Sequence, residues 1–467
     1  MKILRVLLPL VLLGLFAGCQ LEEPSLKKSE PVTPNSTTQQ LFASFVAVGN
    51  SLTAGYQSAA LTAKFQEYSF PNQIATQAGV NDFKQPLLAW PGIGSYTTQG
   101  AGILTFNGFD ADGNPQIAPV PYQGTGFDPF NPFLSAEVAG LPRPYNNLGV
   151  PAAVLADLDS AISSAQSYSH SAFFDIILRN PKLGNTTVVQ QAMMLQPTLI
   201  SLWIGNNDVL GYATSGGTNP AAPTDKTIFA FLYDALVGKL TSGGAKVVLA
   251  NIPDVTTIPF FTTVPYMVEV QGNKVALVIQ ASDGVRQATA EDLILLTAQN
   301  VIGDASGQYG PAGVPVGFDA SAPLPSAFVL DKNEIATAKQ ATADFNETIQ
   351  ELVAKYSGKV AFVDINSLLL DAADEDGYEI AGIELNCDFL TGGIFSLDGV
   401  HPSNLGYALV ANQFIMAINE TFGANVPTID LLKFMEEQQP VKLDLKKLAS
   451  LPDLSHIPEI FGGKITL

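Results

Sequence analysis

Four short segments of this chain are almost continuously apolar: Phe45 to Gly49, Thr198 to Ile204, Lys246 to Ile252 and Val360 to Ile365. A strand with one face in water alternates apolar and polar residues, whereas an uninterrupted apolar run of this length fits a strand buried on both faces. Helical patterns lie between the runs. Asp331 and Glu334 have capping-box spacing and open an amphipathic stretch to about Tyr356. Ser403 or Asn404 can cap another helix, with Leu405, Leu409, Phe414, Ile415 and Ile418 near helical spacing and Gly423 as a stop. Strands alternating with helices predict an α/β fold with a mostly parallel sheet and right-handed crossovers. One catalytic domain is expected over residues 41–423.

Two stretches break this rhythm. Residues 90–145 are dense in Gly, Pro and aromatics, and residues 256–328 open with Thr-Thr-Ile-Pro-Phe-Phe. Both read as insertions at the loop end of the sheet, serving as binding walls or as padding. The aromatic character of the first favours an apolar acyl-binding wall there. Residues 424–467 read as a tail packed on the domain, without chemistry of its own.

The chain has 467 residues and a net charge of −20, from 43 acidic and 23 basic side chains. Such a charge repels a polyphosphate backbone, so nucleic acid is not an expected partner. The first residues provide a different association. Met1 to Arg5 is a short basic start, and Val6 to Phe16 is apolar but too short to span a bilayer. Residues 1–18 therefore read as a signal peptide. The ending Leu15-Phe16-Ala17-Gly18-Cys19 resembles a bacterial lipobox, which implies cleavage before Cys19 and lipidation of that residue. Residues 19–40 are polar and read as a flexible tether. Gln20 stands where aspartate would imply inner-membrane retention in some bacteria, so the outer membrane is the expected location. After cleavage Cys19 leads the chain and Cys387, the one other cysteine, reads as buried. A metal site and a cofactor are not expected, and neither is a stable oligomer.

Three histidines occur in the chain, and one belongs to Ser396-Leu397-Asp398-Gly399-Val400-His401-Pro402. An imidazole is the usual proton shuttle near neutral pH, and a carboxylate can hold its tautomer and stabilise its cation. Ser51 follows the first apolar run in Gly49-Asn50-Ser51-Leu52, where Gly49 permits a sharp exit from the strand. Taken alone, Ser51 reads equally well as a helix N-cap. Trp203-Ile204-Gly205-Asn206-Asn207-Asp208 follows another run. An asparagine amide there could donate to an oxyanion, or could simply belong to a polar turn. Together, Ser51, His401, Asp398 and Asn207 fit one reaction as nucleophile, base, orienting acid and oxyanion donor.

It is this combination that resembles the SGNH/GDSL hydrolases. Gly49-Asn50-Ser51-Leu52 resembles the first block of that family, Gly205-Asn206-Asn207-Asp208 the third, and Asp398-Gly399-Val400-His401-Pro402 the fifth. The resemblance covers roughly residues 44–422. It implies a three-layer α/β/α sandwich and hydrolysis of esters, thioesters or acylated sugars and lipids. It makes Ser51 the nucleophile, His401 the base, Asp398 its orienting acid, and Asn207 with the Ser51 N–H the oxyanion donors. Asp208 would brace the Asn207 loop.

Two positions depart from the family pattern. Asn50 stands where aspartate is usual, and Ala152, in Asn147-Leu148-Gly149-Val150-Pro151-Ala152, stands where a glycine usually completes the oxyanion hole. Gly92 and Gly94 are the alternatives to Ala152. An envelope-anchored esterase or lipase is the expected function. The alternatives are a deacetylase of acylated glycans, or a surface lipoprotein that binds a glycan or lipid without turnover. Asp110 to Asn114 starts like a calcium loop, but Pro115 stands where the turn glycine belongs, so a hairpin turn is expected. Asp374 to Gly377 reads as an exposed turn, and His170 and His456 as surface residues.

Overall fold

Five parallel strands form the central sheet: β1 (Phe45–Gly49), β2 (Asn147–Gly149), β3 (Leu199–Trp203), β4 (Lys246–Ala250) and β5 (Val360–Val363). Their order is β5-β4-β3-β1-β2. The structure is a computed structural model, and it describes residues 33–94, 101–109, 115–122, 126–270, 272–374, 376–380 and 382–438. Four of the strands are the apolar runs, three of them trimmed by a residue or more. The fifth, β2, has no such signature, because three residues on a sheet edge are too few to show a period.

The principal helices are α1 (Ser51–Ala54), α2 (Phe70–Gln77), α3 (Val188–Met194), α4 (Asn206–Ala213), α5 (Lys226–Ser242), α6 (Lys332–Lys355), α7 (Ile365–Ala373) and α8 (Asn404–Phe422). Alternation along the strands divides the core in two. Val46, Val48, Ile200, Leu202, Val247 and Leu249 face one way, towards α3, α5 and α6. Phe45, Leu199, Trp203, Val248 and Ala361 face the other, towards α2 and α8. Covering both faces is what permits the continuous apolar runs. The result is a three-layer α/β/α sandwich.

Local signals set the ends of the long helices. Asp331 accepts from the Asn333 and Glu334 N–H groups while Glu334 accepts from the Asp331 N–H, the capping box expected for α6. Ser403, rather than Asn404, caps α8 by accepting from the Gly406 N–H, and Gly423 ends it at φ +73°. No helix among the described residues is long and apolar enough to cross a membrane.

Both insertions are more ordered than the loop reading allows. Within residues 90–145, Ala101–Phe109 pairs antiparallel with Pro115–Pro121, leaving Phe106 and Phe109 exposed. Residues 110–114, with the calcium-loop lookalike, lie outside the described residues. Within residues 256–328, hairpins Met267–Val270/Asn273–Ala276 and Val278–Ala281/Gly284–Gln287 surround a separate small core containing Val268, Ile279, Ile294 and Leu324. Four-residue strands seen without their partners resemble loop sequence, which is why the expected loop is a β-rich unit.

The stretch read as tether includes a helix, Ser36–Leu41, whose cap Asn35 and whose Thr38 bond to Asn425. The described part of the tail packs on the domain. Asn412 exchanges two hydrogen bonds with the Ile429 backbone, and Asn404 donates to Gln438. Residues 1–32, with the signal peptide and Cys19, lie outside the described residues, as do 439–467 with His456.

Phe414 of α8 is fully buried, stacks on Phe70 at 4.6 Å between ring centroids and lies 6.4 Å from Trp203. It joins both helices of its layer to the sheet. Phe414→Ala should therefore cost about 3–5 kcal/mol, read as a lower urea midpoint at unchanged denaturant slope.

Candidate active site

Ser51 stands directly beyond the C-terminal end of β1, on the first turn of α1. Gly49 makes this exit possible: a Cβ there would lie 2.2 Å from Thr53 Oγ1 and 2.3 Å from the Trp203 carbonyl oxygen. The N-cap of α1 is Asn50, whose side chain accepts from the Leu52 N–H at 3.0 Å. Ser51 is thus the first helical residue, and its hydroxyl is not needed as a cap. Asn50 is fully buried and donates to Asn206 Oδ1 at 3.3 Å. An uncharged amide here satisfies both neighbours without placing another charge in the interior.

Residue 401 reaches this serine from the far end of the domain. His401 Nε2 is 2.9 Å from Ser51 Oγ, and Nδ1 is 2.9 Å from Asp398 Oδ2. The loop carrying both residues is tight: Ser396 N–H donates to the His401 carbonyl and Gly399 N–H to the Ser396 carbonyl. Gly399 adopts φ +69°, and a Cβ on it would lie 3.0 Å from the Phe260 nitrogen. The Asp398 side chain also accepts from the N–H groups of Ala59, Val400 and His401 and from Ser396 Oγ. Burial alone would raise its pKa. The His401 charge and the hydrogen bonds outweigh that and lower it to about 2. The Asp398 carboxyl is thus held in its charged form beside the His401 ring. The Tyr56 ring lies 4.7 Å from the imidazole between centroids.

The oxyanion donors expected from the sequence stand in different circumstances. Asn207 Nδ2 donates to the Ala153 carbonyl at 2.8 Å, which leaves one amide hydrogen for another acceptor. Among the described residues, neither the Ser51 N–H nor the Ala152 N–H has a hydrogen-bond partner. Ala152 is exposed and sits at φ +67°, a conformation that suits the glycine it stands in for. The Gly92 N–H, by contrast, is given to the Ala89 carbonyl. Gly94 pairs with Ala60, where a Cβ would come 1.8 Å from the Ala59 carbonyl oxygen. Close packing accounts for these two glycines.

Asp208 accepts from the Leu155 N–H at 2.9 Å and from Thr224 Oγ1 at 2.8 Å, tying α4 to the segment that carries Ala152. Burial pushes its pKa up to about 6 against those hydrogen bonds, with Asp157 adding to the rise. Leu155 and Thr224 carry no sequence signal for this role.

A cavity of about 820 Å³, its open mouth included, adjoins Ser51, Asn207 and His401. Its wall is mainly apolar and includes Leu210, Ile258, Leu368, Leu369, Ile394 and Leu409. The expected acyl-binding wall fell in residues 90–145, but no described residue of that insertion lines the cavity. The wall comes from α4, α7, α8 and the loops after β4 and before α8, which meet only in the folded chain. Cys387 is buried, with its thiol pushed up to about 12 by burial. His170 is exposed, and Asp374 turns the chain by accepting from the Gly377 N–H.

Two measurements check these assignments. Ala152→Gly removes a left-handed alanine and should raise stability by up to about 1 kcal/mol, read as a higher urea midpoint. For Asp208, a raised folded-state pKa means its contribution is complete below about pH 4 and is lost as pH rises through about 6. The stability of wild type relative to Asp208→Asn should accordingly fall between pH 4 and pH 6, and a flat difference would contradict the assignment.

No curated protein matches the chain. A model of the family described as GDSL-like Lipase/Acylhydrolase matches residues 45–414, from the start of β1 to the buried Phe414 of α8. That span includes the serine, the asparagine and the Asp–His loop, and the chain belongs to the GDSL-like lipase/acylhydrolase family, hydrolases that act on esters.

Proposed function

We propose that this protein is a lipid-anchored envelope hydrolase that cleaves esters of apolar acyl groups through an acyl-enzyme on Ser51. The observation that carries the reading is the run of two 2.9 Å contacts from Ser51 Oγ through the His401 ring to Asp398. Ser51 Oγ attacks the acyl carbonyl carbon as its proton passes to His401 Nε2. The oxyanion then receives hydrogen bonds from the Ser51 and Ala152 N–H groups and from the free amide hydrogen of Asn207. The C–O bond breaks, and the alcohol leaves with the proton from His401. Water then attacks the acyl-enzyme, giving one proton to His401, which returns it to Ser51 as the acid departs. Asp398 stays ionised throughout and stabilises the imidazolium.

The apolar wall beside Ser51 supports an apolar acyl group rather than acetyl alone. Each methylene that enters it can contribute up to ~0.8 kcal/mol, or about fourfold in kcat/KM. The anchor rests on the lipobox-like ending at Cys19, with the outer membrane as the proposed location. A fluorophosphonate probe should label wild type on Ser51 and leave Ser51→Ala unlabelled. Across aryl esters from acetyl upward, kcat/KM should climb with chain length until the cavity is full. His401→Ala should lower kcat by about 10⁴-fold or more while the protein stays folded. An unlabelled, inactive wild type would favour a binding protein, and activity confined to acetyl esters would remove the apolar acyl assignment.

A further inference from the structure

The described residues of the inserted hairpin, 101–109 and 115–121, do not line the cavity, yet they reach the triad by another route. Two consecutive non-glycine residues, Ser58 and Ala59, adopt left-handed conformations at φ +49° and +63°. Such a pair is costly for residues with a Cβ and persists only where the surroundings hold it. Both residues are buried. The turn presents its two N–H groups to the acid loop, Ser58 to Ser396 Oγ at 2.9 Å and Ala59 to Asp398 Oδ2 at 2.8 Å. Ser396 Oγ in turn donates to Asp398 Oδ1 at 3.2 Å, and the Leu397 N–H donates to Ser58 Oγ.

What holds the turn from behind is the insertion. The Leu104 N–H, on the first strand of the inserted hairpin, donates to the Ser58 carbonyl at 2.8 Å. Leu104 stands opposite Pro119 on the hairpin, and its N–H points away from that strand to the turn. Gly94 lets the chain entering the hairpin close against Ala59, where any side chain would collide with the Ala59 carbonyl. Tyr56 Oη donates to that same carbonyl at 2.6 Å.

We propose that Ser58, Ala59 and Ser396 are positioning residues for Asp398, and that the inserted hairpin is the strut that keeps them in place. The insertion then governs the rate of acyl transfer and not the choice of acyl chain. This inference rests on the Ser51 hydrolase reading.

The test uses the full chain with one aryl ester, comparing kcat and KM for wild type, Ser396→Ala, Ser396→Thr, Leu104→Pro and Leu104→Ala. Ser396→Ala and Leu104→Pro should lower kcat by about 10- to 100-fold, as expected when a catalytic group is misplaced without being removed, with KM little changed. Ser396→Thr restores the hydroxyl and Leu104→Ala keeps the N–H, so both should stay within about threefold of wild type. Wild-type kcat in Ser396→Ala and Leu104→Pro overturns the proposal, as does equal loss in the Pro and Ala variants at 104. If Leu104→Pro does not fold, the Ser396 pair decides: equal loss in Ala and Thr makes that residue merely structural and sinks the idea. A wild type that takes no fluorophosphonate label and turns over no ester removes the hydrolase reading itself, a result distinct from an active wild type with unaffected variants.

Discussion

A buried carboxylate is the constraint around which this site is built. Taking an anion out of water costs several kcal/mol unless hydrogen bonds and an opposite charge replace its hydration. Asp398 meets that demand from both ends of the domain: Ala59 N–H from one, and Ser396, Val400 and His401 from the other. Satisfying the charge therefore fixes the loop before α8 against the turn after α1. Once those two segments are locked together, His401 has little choice but to point its second nitrogen at Ser51.

The sheet supplies the frame on which this can happen. Parallel strands deliver their C-terminal ends to one edge, so Gly49 of β1 and Trp203 of β3, neighbours in register, bring Ser51 and Asn207 to the same place. Glycine at position 49 is what lets α1 begin that close to β3, since a Cβ would strike the Trp203 carbonyl. The chain then wraps an apolar cavity from α4, α7, α8 and the loop after β4 around the reacting atoms, with Ile258 at the start of the second insertion in its wall.

What could be read in advance was local. β1 and the Asp331–Glu334 box are written in contiguous residues, and so are the Ser403 cap and the Gly423 stop. The four polar residues of the candidate site were legible because each follows a strand or precedes a helix in a short, unusual motif. Features that depend on partners far along the chain were not. β2 is too short to show a pattern, and the cavity wall mixes residues from 50 to 410. The 256–328 unit hides its strands until they pair. The Ser58–Ala59 turn has no glycine to announce its left-handed backbone, and Ser396, although it lies beside Asp398 in the sequence, shows its role only when the turn is folded against it.

The central claim is that both ends of the domain assemble one acyl-transfer site on Ser51. Rapid-quench intact mass spectrometry during turnover of a long-chain aryl ester tests it most directly. An acyl-enzyme on Ser51 predicts a transient mass increase equal to one acyl group, mapped by peptide analysis to Ser51 and absent from Ser51→Ala. Steady turnover by a folded Ser51→Ala variant, or an acyl adduct on any other residue of the wild type, would contradict it.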